Sequence, residues 1–219
     1  MGFVAGGLPG FLLVLVVFSG SFLEGEATVW GYPTPSNCRT LECPSYEVIY
    51  SQKDFEIRRY PKAVWVSTPP LTSRTYREAA DRGFNFLFAY INGRNDRGVR
   101  VDMTAPALVD ITPAKRPSSN STFVVRFFVP RKFQKSPPTA PLVIAGKWPG
   151  PRYAAVRRFG GFANDNNIPP QALALAESLR GTRWAAALGG RGGVPSTYTV
   201  GSYNGPFEFD RVNEVFFLF

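Results

Sequence analysis

The sequence predicts an α+β fold, in which an antiparallel-rich sheet, closed or half-closed, packs with two main helices. Residues 46–69 alternate apolar and polar side chains with a period of two, which is typical of strands. Residues 75–91 instead repeat apolar side chains at helical spacing. A basic pair in a strand, an aromatic residue, a turn, a helix and two strands then follow one another twice along the chain. This weak repeat predicts two strand-helix-strand-strand halves.

The first 27 residues are expected to be a secretory signal peptide. An apolar run from Phe11 to Phe18 is followed by small and polar residues ending at Ala27, which is the pattern of a signal sequence and its cleavage site. A membrane anchor is the alternative, although the run is short for crossing a bilayer. We therefore expect a mature chain without a stable membrane anchor, in the secretory pathway and finally extracellular or in a vacuolar or endomembrane lumen.

Residues 28–45 are rich in turn-forming residues and predict an extended arm before a domain at 46–219. Cys38 and Cys43 are the only cysteines, and an even pair in a secreted chain indicates a disulfide. A metal site is the alternative, but a chain without histidine or a second cysteine pair lacks the remaining ligands. Asn120 begins an Asn-Ser-Thr triplet in a polar loop, which predicts N-glycosylation.

Within the domain, alternation and turn residues define the elements in order. Strands are expected at 46–51, 55–60, 63–68, 99–103, 107–111, 122–129, 142–145, 153–159, 198–203 and 212–217. Helices are expected at 75–91, 171–180 and, as a short segment, 182–188. Thr75 and Glu78 fit a capping box at the start of the first helix.

Charge and residue counts restrict the classes of function. The formal net charge of +9 favours anionic partners, but the bases are scattered, so no nucleic-acid binding is predicted. The absence of histidine excludes Ser-His-Asp and Cys-His catalysis and imidazole ligation of a metal or a haem iron. No motif places a catalytic pair of carboxylates. The sequence therefore indicates a binding protein, not an enzyme.

Several segments, in the same order, resemble the SOUL haem-binding protein family. They are PSYEVIYSQKDFEIRRYPKAVWVST, FAYINGRN, VDMTAPALV, FFVPRKFQ, AVRRFGGFA and YNGPFEFDRVNEVFF. The resemblance runs from about Pro44 to Phe217. Within the family, the sequence is similar to the secreted plant branch. It implies a distorted β-barrel of two pseudo-repeated halves with two helices. It also implies non-covalent binding of haem or related tetrapyrroles, as a carrier or buffer.

The resemblance further implies a site on the first helix and on nearby basic residues. The residues that match are Arg77, Phe84, Leu87, Phe88 and Ile91 on the helix, with Arg58 and Arg59 as partners for propionates. Packing in the core is the alternative for Phe84 and Leu87. Arg58 and Arg59 cannot both face the ligand, because neighbouring strand residues point to opposite faces of a sheet.

Without histidine, the iron of a bound haem lacks its usual protein ligand. Met103 could offer a thioether, but core packing explains this residue better, so no direct metal ligation by the protein is expected. Binding should then be weak and should depend on the pocket, with metal-free porphyrin binding about as well as haem. The natural ligand and the oligomeric state are left open.

Two other functions compete with tetrapyrrole binding. One is a general module for apolar ligands or protein partners that has lost haem binding. The other is an enzyme acting on a bound ligand, for which a buried carboxylate with a raised pKa would be the sign. Glu214 is a candidate carboxylate, but we expect it to form a structural ion pair with Arg211.

Overall fold

The structure is a computed structural model that describes residues 1–2, 31–116, 118–148, 150–188, 193–205 and 207–219. The expected signal peptide lies, apart from its first two residues, outside the described residues. In the part of the chain that the structure describes, no helix is both long and apolar enough to cross a membrane.

Strands and two helices make up the described domain, which confirms the α+β class. The strands are β1 (Glu47–Ser51), β2 (Glu56–Tyr60), β3 (Val64–Ser67), β4 (Leu71–Ser73), β5 (Ala107–Thr112), β6 (Ser121–Phe128), β7 (Ile144–Lys147), β8 (Arg152–Phe159), β9 (Tyr198–Ser202) and β10 (Asn213–Leu218). The α-helices are α1 (Tyr76–Ile91) and α2 (Ile168–Leu179), and short 3-10 helices lie at Ser36–Arg39, Arg131–Phe133 and Ala185–Leu188.

The strands form one antiparallel sheet in the order β1-β2-β8-β10-β9-β5-β6-β3-β7, with β4 also paired to β6. Within the described residues, β1 and β7 do not pair with each other, so the sheet is open. Of the two expected arrangements, closed and half-closed, the closed one is not formed. β7 has four residues and is largely exposed, and it ends the sheet instead of bridging back to β1.

The two predicted halves are present and are arranged alike. In the first half, β3, α1, β5 and β6 pair in the order β3-β6-β5; in the second, β8, α2, β9 and β10 pair in the order β8-β10-β9. The halves meet where β5 pairs with β9, with Val109 opposite Val200. The weak sequence repeat therefore reflects a real repeat of the fold.

Both helices cover the same face of the sheet. Half of the predicted capping box is present at α1, where the Thr75 hydroxyl accepts a hydrogen bond from the Glu78 backbone N–H at 3.3 Å. The Glu78 carboxylate accepts from the Ser73 hydroxyl at 2.7 Å, and the Thr75 N–H donates to that same hydroxyl. Buried side chains of both helices, such as Leu87 and Leu175, join one core with the strand residues that face them. Alternate strand residues form a second, aromatic-rich cluster on the opposite face, which includes Trp65 and Phe216.

One predicted strand is absent. Residues 99–103 are irregular, and nearby only isolated bridges form, pairing Arg100 with Asn92 and Thr104 with Glu42. The reason is that this segment bonds to other parts of the chain: the Val101 N–H donates to the Ile91 carbonyl at 2.8 Å, and the Thr104 hydroxyl donates to the Phe128 carbonyl at 2.8 Å. β4 was missed because a strand of three residues directly after two prolines gives no periodic signal.

Candidate ligand-binding site

A cavity of about 400 Å³ opens on the face of the sheet that the helices leave uncovered. Its sheet wall is mainly aromatic and aliphatic, because every second residue of the central strands points to this face. The wall consists of Tyr60, Trp65, Pro106, Leu108, Trp148, Thr199, Tyr203, Phe216 and Leu218. Trp65 and Trp148 lie with ring centroids 5.2 Å apart, and the Tyr60 ring meets Trp148 edge-on at 5.7 Å.

The N-terminal arm, from residue 31 to residue 46, forms the other wall. The predicted disulfide between Cys38 and Cys43 is present, and both cysteines line the cavity. The arm is fastened at both ends. The Tyr32 N–H donates to the Glu56 carboxylate, and the Ala105 N–H donates to the Glu42 carbonyl at 3.1 Å. The cavity is therefore completed by a segment that precedes the first strand.

Beneath the cavity lies a buried network of charged side chains. Arg58 is fully buried and binds both carboxylate oxygens of Glu214, at 2.8 and 2.9 Å, and Glu56 at 2.7 Å. Arg158 binds Glu214 from the neighbouring strand at 2.7 Å, and the Tyr203 hydroxyl donates to Glu214 at 2.7 Å. Each buried charge thus has opposite charges as partners, as burial in a low dielectric requires.

The network determines the ionisation of Glu214. Burial alone raises the pKa of this carboxyl, but the guanidinium groups of Arg58 and Arg158 together lower the pKa below its usual value. The predicted structural ion pair of Glu214 is present, but the prediction of Arg211 as its partner is wrong. Its guanidinium donates instead to the carbonyl oxygens of Gly205, Asn204 and Glu208. The true partners could not be seen locally, because they come from strands distant in sequence.

One donor in the cavity wall has no partner. The indole N–H of Trp65 is buried, yet it has no hydrogen-bond acceptor among the residues that the structure describes. Buried polar groups are rarely left unpaired, and such a group often marks the place of a missing partner. A ligand with an acceptor could satisfy it.

A smaller cavity of about 250 Å³ adjoins the aromatic one and shares Pro44, Ser45, Tyr60 and Trp148 with it. It adds two cationic side chains, Lys62 and Arg131. Arg131 lies 3.6 Å from Glu42, but this pair is largely exposed and is therefore weak. Both cations were missed from sequence, because each directly follows a proline outside the strands and nothing local links it to the aromatic cavity.

The site residues that the sequence predicted do not converge on this cavity. Arg58 and Arg59 face opposite ways, as expected: Arg58 is held in the buried network, whereas Arg59 is exposed and pairs with Glu47 at 2.6 Å. Arg58 is fully buried, and its guanidinium donates to Glu56, Tyr60 and Glu214. Arg59 lies on the opposite face of β2, so neither arginine is placed to bind a propionate in this cavity.

The predicted helix residues lie on the other side of the sheet. Leu87 and Ile91 belong to the core, Phe84 is partly buried against Phe127, and Phe88 is 46% exposed and stacked on Phe84. Arg77 is exposed near Asp81. Phe84, Phe88 and Arg77 thus share one helix, but the described cavities lie elsewhere. A ligand on α1 stays a prediction.

The remaining predicted residues are also located. Met103 is partly buried against the helix-side core, away from both cavities. Asn120 is exposed immediately before β6, and its glycosylation stays a prediction. Within the described ranges, no group of three or more His, Cys, Asp or Glu side chains is placed to hold a metal ion.

Comparison with known proteins shows which family this chain resembles over most of its length. The family model described as SOUL heme-binding protein matches residues 41–218. Heme-binding protein 2 of Mus musculus is 29% identical over 196 residues, covering 86% of this chain and 91% of that protein. Heme-binding protein 2 of Homo sapiens is 31% identical over 168 residues, covering 75% and 77%. Among solved structures, the EcmrR C-terminal domain aligns with a TM-score of 0.49 at 8% identity, covering 80% of this chain and 98% of that one, which is too distant to support an inference.

Proposed function

The chain belongs to the SOUL haem-binding protein family, and on this premise we propose that it binds a tetrapyrrole, haem included, non-covalently in the aromatic cavity. The observation that carries this proposal is the cavity itself. A porphyrin is a flat apolar plate, and ligand pockets are concave, mainly apolar and of roughly 300–1,000 Å³. The rings of Tyr46, Tyr60, Trp65 and Trp148 supply such a wall.

The adjoining cavity supports a defined orientation for the ligand. The described wall of the aromatic cavity contains no charged side chain, so the two propionates cannot be paired there. Lys62 and Arg131 border the smaller cavity next to it. We place the ring against the aromatic wall and the propionates at these two cations, where charge-assisted hydrogen bonds form.

The chain offers no strong iron ligand in this cavity. It has no histidine, and Met103 lies on the other side of the sheet. Four tyrosines line the described cavity, and burial raises the pKa of each of them above its usual value: Tyr32, Tyr46, Tyr60 and Tyr203. A phenolate ligand is therefore not available near neutral pH either. We therefore propose recognition through the ring and its carboxylates, with metal-free porphyrin binding about as well as haem.

Binding, not catalysis, fits the carboxylates near the cavity. An acid or base catalyst in such a site needs a carboxyl whose pKa is raised toward neutrality. Glu214 has the opposite shift, and its oxygens are occupied by Arg58, Arg158 and Tyr203. We propose a carrier or buffer that works in the secretory pathway or outside the cell.

The experiment is a titration of residues 28–219 with haem, metal-free protoporphyrin and protoporphyrin dimethyl ester, followed by absorbance and tryptophan quenching. One-to-one binding of haem and free protoporphyrin is expected. Reversing both cations, in Lys62→Glu/Arg131→Glu, should weaken the two acids about tenfold or more and leave the ester unchanged, because the ester has no charge to pair.

Binding of none of the three ligands would contradict the proposal. The family name would then describe only the fold of this chain, and a general module for other apolar ligands or for protein partners would replace it.

A further inference from the structure

Glu42, in the N-terminal arm, places a negative charge beside the smaller cavity. Its carboxylate accepts a hydrogen bond from the Arg131 backbone N–H at 2.9 Å and lies 3.6 Å from the Nε of the Arg131 side chain. Arg131 is one of the two cations in the described wall of that cavity, and the other is Lys62. An acid of the chain itself therefore contacts one of the two cations to which we assign the carboxylates of the ligand.

The position of Glu42 is fixed by the fold. Its carbonyl accepts a hydrogen bond from the Ala105 N–H at 3.1 Å, and it forms an isolated bridge with Thr104. The Thr104 hydroxyl donates to the Phe128 carbonyl at 2.8 Å, at the end of the strand that leads to Arg131. The side chain of Glu42 is 31% exposed and that of Arg131 is 81% exposed. The carboxylate is thus held in place, while the long arginine side chain keeps the freedom to turn toward a ligand.

The charges around the smaller cavity match one ligand carboxylate and not two. Lys62 forms no ion pair with another described residue, whereas Arg131 is paired with Glu42. Two further cations, Lys132 and Arg152, lie outside the described wall of either cavity. A single ligand carboxylate together with Glu42 balances the two cations of the wall. A second ligand carboxylate has to compete with Glu42 for Arg131, and it adds a negative charge that no cation of the wall compensates.

We propose that Glu42 determines which tetrapyrroles this site prefers: those with one free carboxylate, bound at Lys62, over those with two. The inference rests on the proposed function, because it concerns the same cavities and the same two cations. Solvent screens a pair as exposed as Glu42 and Arg131, so the preference is modest, about two- to fivefold in affinity. Haem and protoporphyrin, which carry two propionates, then bind but are not the best ligands of the site.

The test is a titration of residues 28–219 with protoporphyrin, its monomethyl ester and its dimethyl ester, which carry two, one and no free carboxylates. The measured quantity is the ratio of the dissociation constants of the diacid and the monoester in the same chain. The parent should bind the monoester more tightly. Glu42→Gln should lower the ratio about two- to fivefold, because the amide removes the charge but still accepts from the Arg131 N–H. Affinity for the dimethyl ester should not change.

Glu47→Gln is the matched control. It removes the same charge from the other face of the sheet, where Glu47 pairs with Arg59 at 2.6 Å, and should leave the ratio at the value of the parent. An unchanged ratio in Glu42→Gln, or an equal change in Glu47→Gln, would overturn the inference while porphyrin binding still stood. A parent chain that bound none of the three compounds would overturn the proposed function and this preference with it, so the two failures are distinguishable.

Discussion

At the residue scale, Arg58 shows why a buried charge must be replaced with care. It is the cation shared by Glu56 and Glu214, and all three side chains are fully buried. Arg58→Met would leave two carboxylates without their main partner, which we expect to destabilise the fold by about 3–5 kcal/mol. Urea unfolding at neutral pH measures this loss.

The matched control is the neighbouring Arg59→Met. Its pair with Glu47 is about half exposed, and solvent screening reduces what such a pair contributes to about 0–1 kcal/mol. Equal losses in the two variants would show that the network beneath the cavity contributes no more than a surface pair.

Buried tyrosines give the stability a defined alkaline limit. Burial raises the pKa of Tyr76 to about 12 and that of Tyr90 to about 12. A pKa that is higher in the folded than in the unfolded chain favours folding fully below the unfolded value of about 10, and this contribution is lost as pH rises toward 12. The urea midpoint should therefore fall between about pH 10 and 12. A midpoint that stays constant to pH 12 would contradict these assignments.

At acid pH the dependence of folding stability on pH has the opposite sign: stability is lost as pH falls. The lowered pKa of Glu214 means that its ionised form favours folding above the unfolded value of about 4.3, and that stability is lost as pH falls through the folded value. In Glu214→Gln this part of the acid dependence should disappear, which urea unfolding between pH 3 and 6 would detect. An identical pH profile in the variant would argue against an ionised Glu214.

Single residues could be predicted only where the signal was local. The opposite orientations of Arg58 and Arg59 follow from strand alternation, and the disulfide follows from the cysteine count. The partners of Glu214 do not, since Arg158 reaches it through the pairing of β8 with β10, which joins residues more than 50 positions apart. Lys62 and Arg131 were missed for the same reason.

At the scale of elements, Gly83 allows α1 to lie close to β6. A Cβ at this position would come within 2.3 Å of a methyl group of Val125, which is itself buried. Gly83→Ala should therefore destabilise the domain by about 1–2 kcal/mol, although alanine favours a helix, because the overlap outweighs the gain in propensity. Thermal unfolding should show a fall of a few degrees.

Gly146 on the exposed edge strand β7 is the control, because a Cβ there meets nothing within 4 Å. Gly146→Ala should leave the melting temperature almost unchanged. If Gly83→Ala melted no lower than Gly146→Ala, the close packing of α1 on β6 would be refuted.

The N-terminal arm, which contains the disulfide, contributes to the cavity more than to the core. Cys38→Ser/Cys43→Ser should cost about 2 kcal/mol or less, because the disulfide closes a short loop. Porphyrin affinity should fall severalfold, since the loosened arm no longer completes the wall. Melting temperature and porphyrin titration are compared with the parent; an unchanged affinity would show that the arm is not part of the site.

Most elements could be read from the sequence because their periodicity is local. Most strands and both helices lie within a few residues of their expected positions. Thr75 marks the start of α1 in the prediction and in the structure. The failures have physical causes. At 99–103, hydrogen bonds to Ile91 and Phe128 replace a ladder, and at β4 the strand is too short to show a period.

At the scale of the molecule, the sequence predicts the repeat but not the closure of the sheet. Closure depends on whether the two edge strands meet, and no local pattern encodes this. The open sheet has one face covered by both helices and the other covered only in part by the arm. An aromatic cavity can form on that second face, whereas sequence resemblance alone directed attention to α1.

The most direct test of the central claim compares one variant on each face of the sheet. Metal-free protoporphyrin is titrated into residues 28–219 carrying Trp148→Ala, on the aromatic cavity, or Phe88→Ala, on the exposed side of α1. Loss of a ring that stacks on the ligand should weaken binding about tenfold or more in Trp148→Ala and leave Phe88→Ala unchanged. Weaker binding in Phe88→Ala with normal binding in Trp148→Ala would place the ligand on the helix and contradict the account.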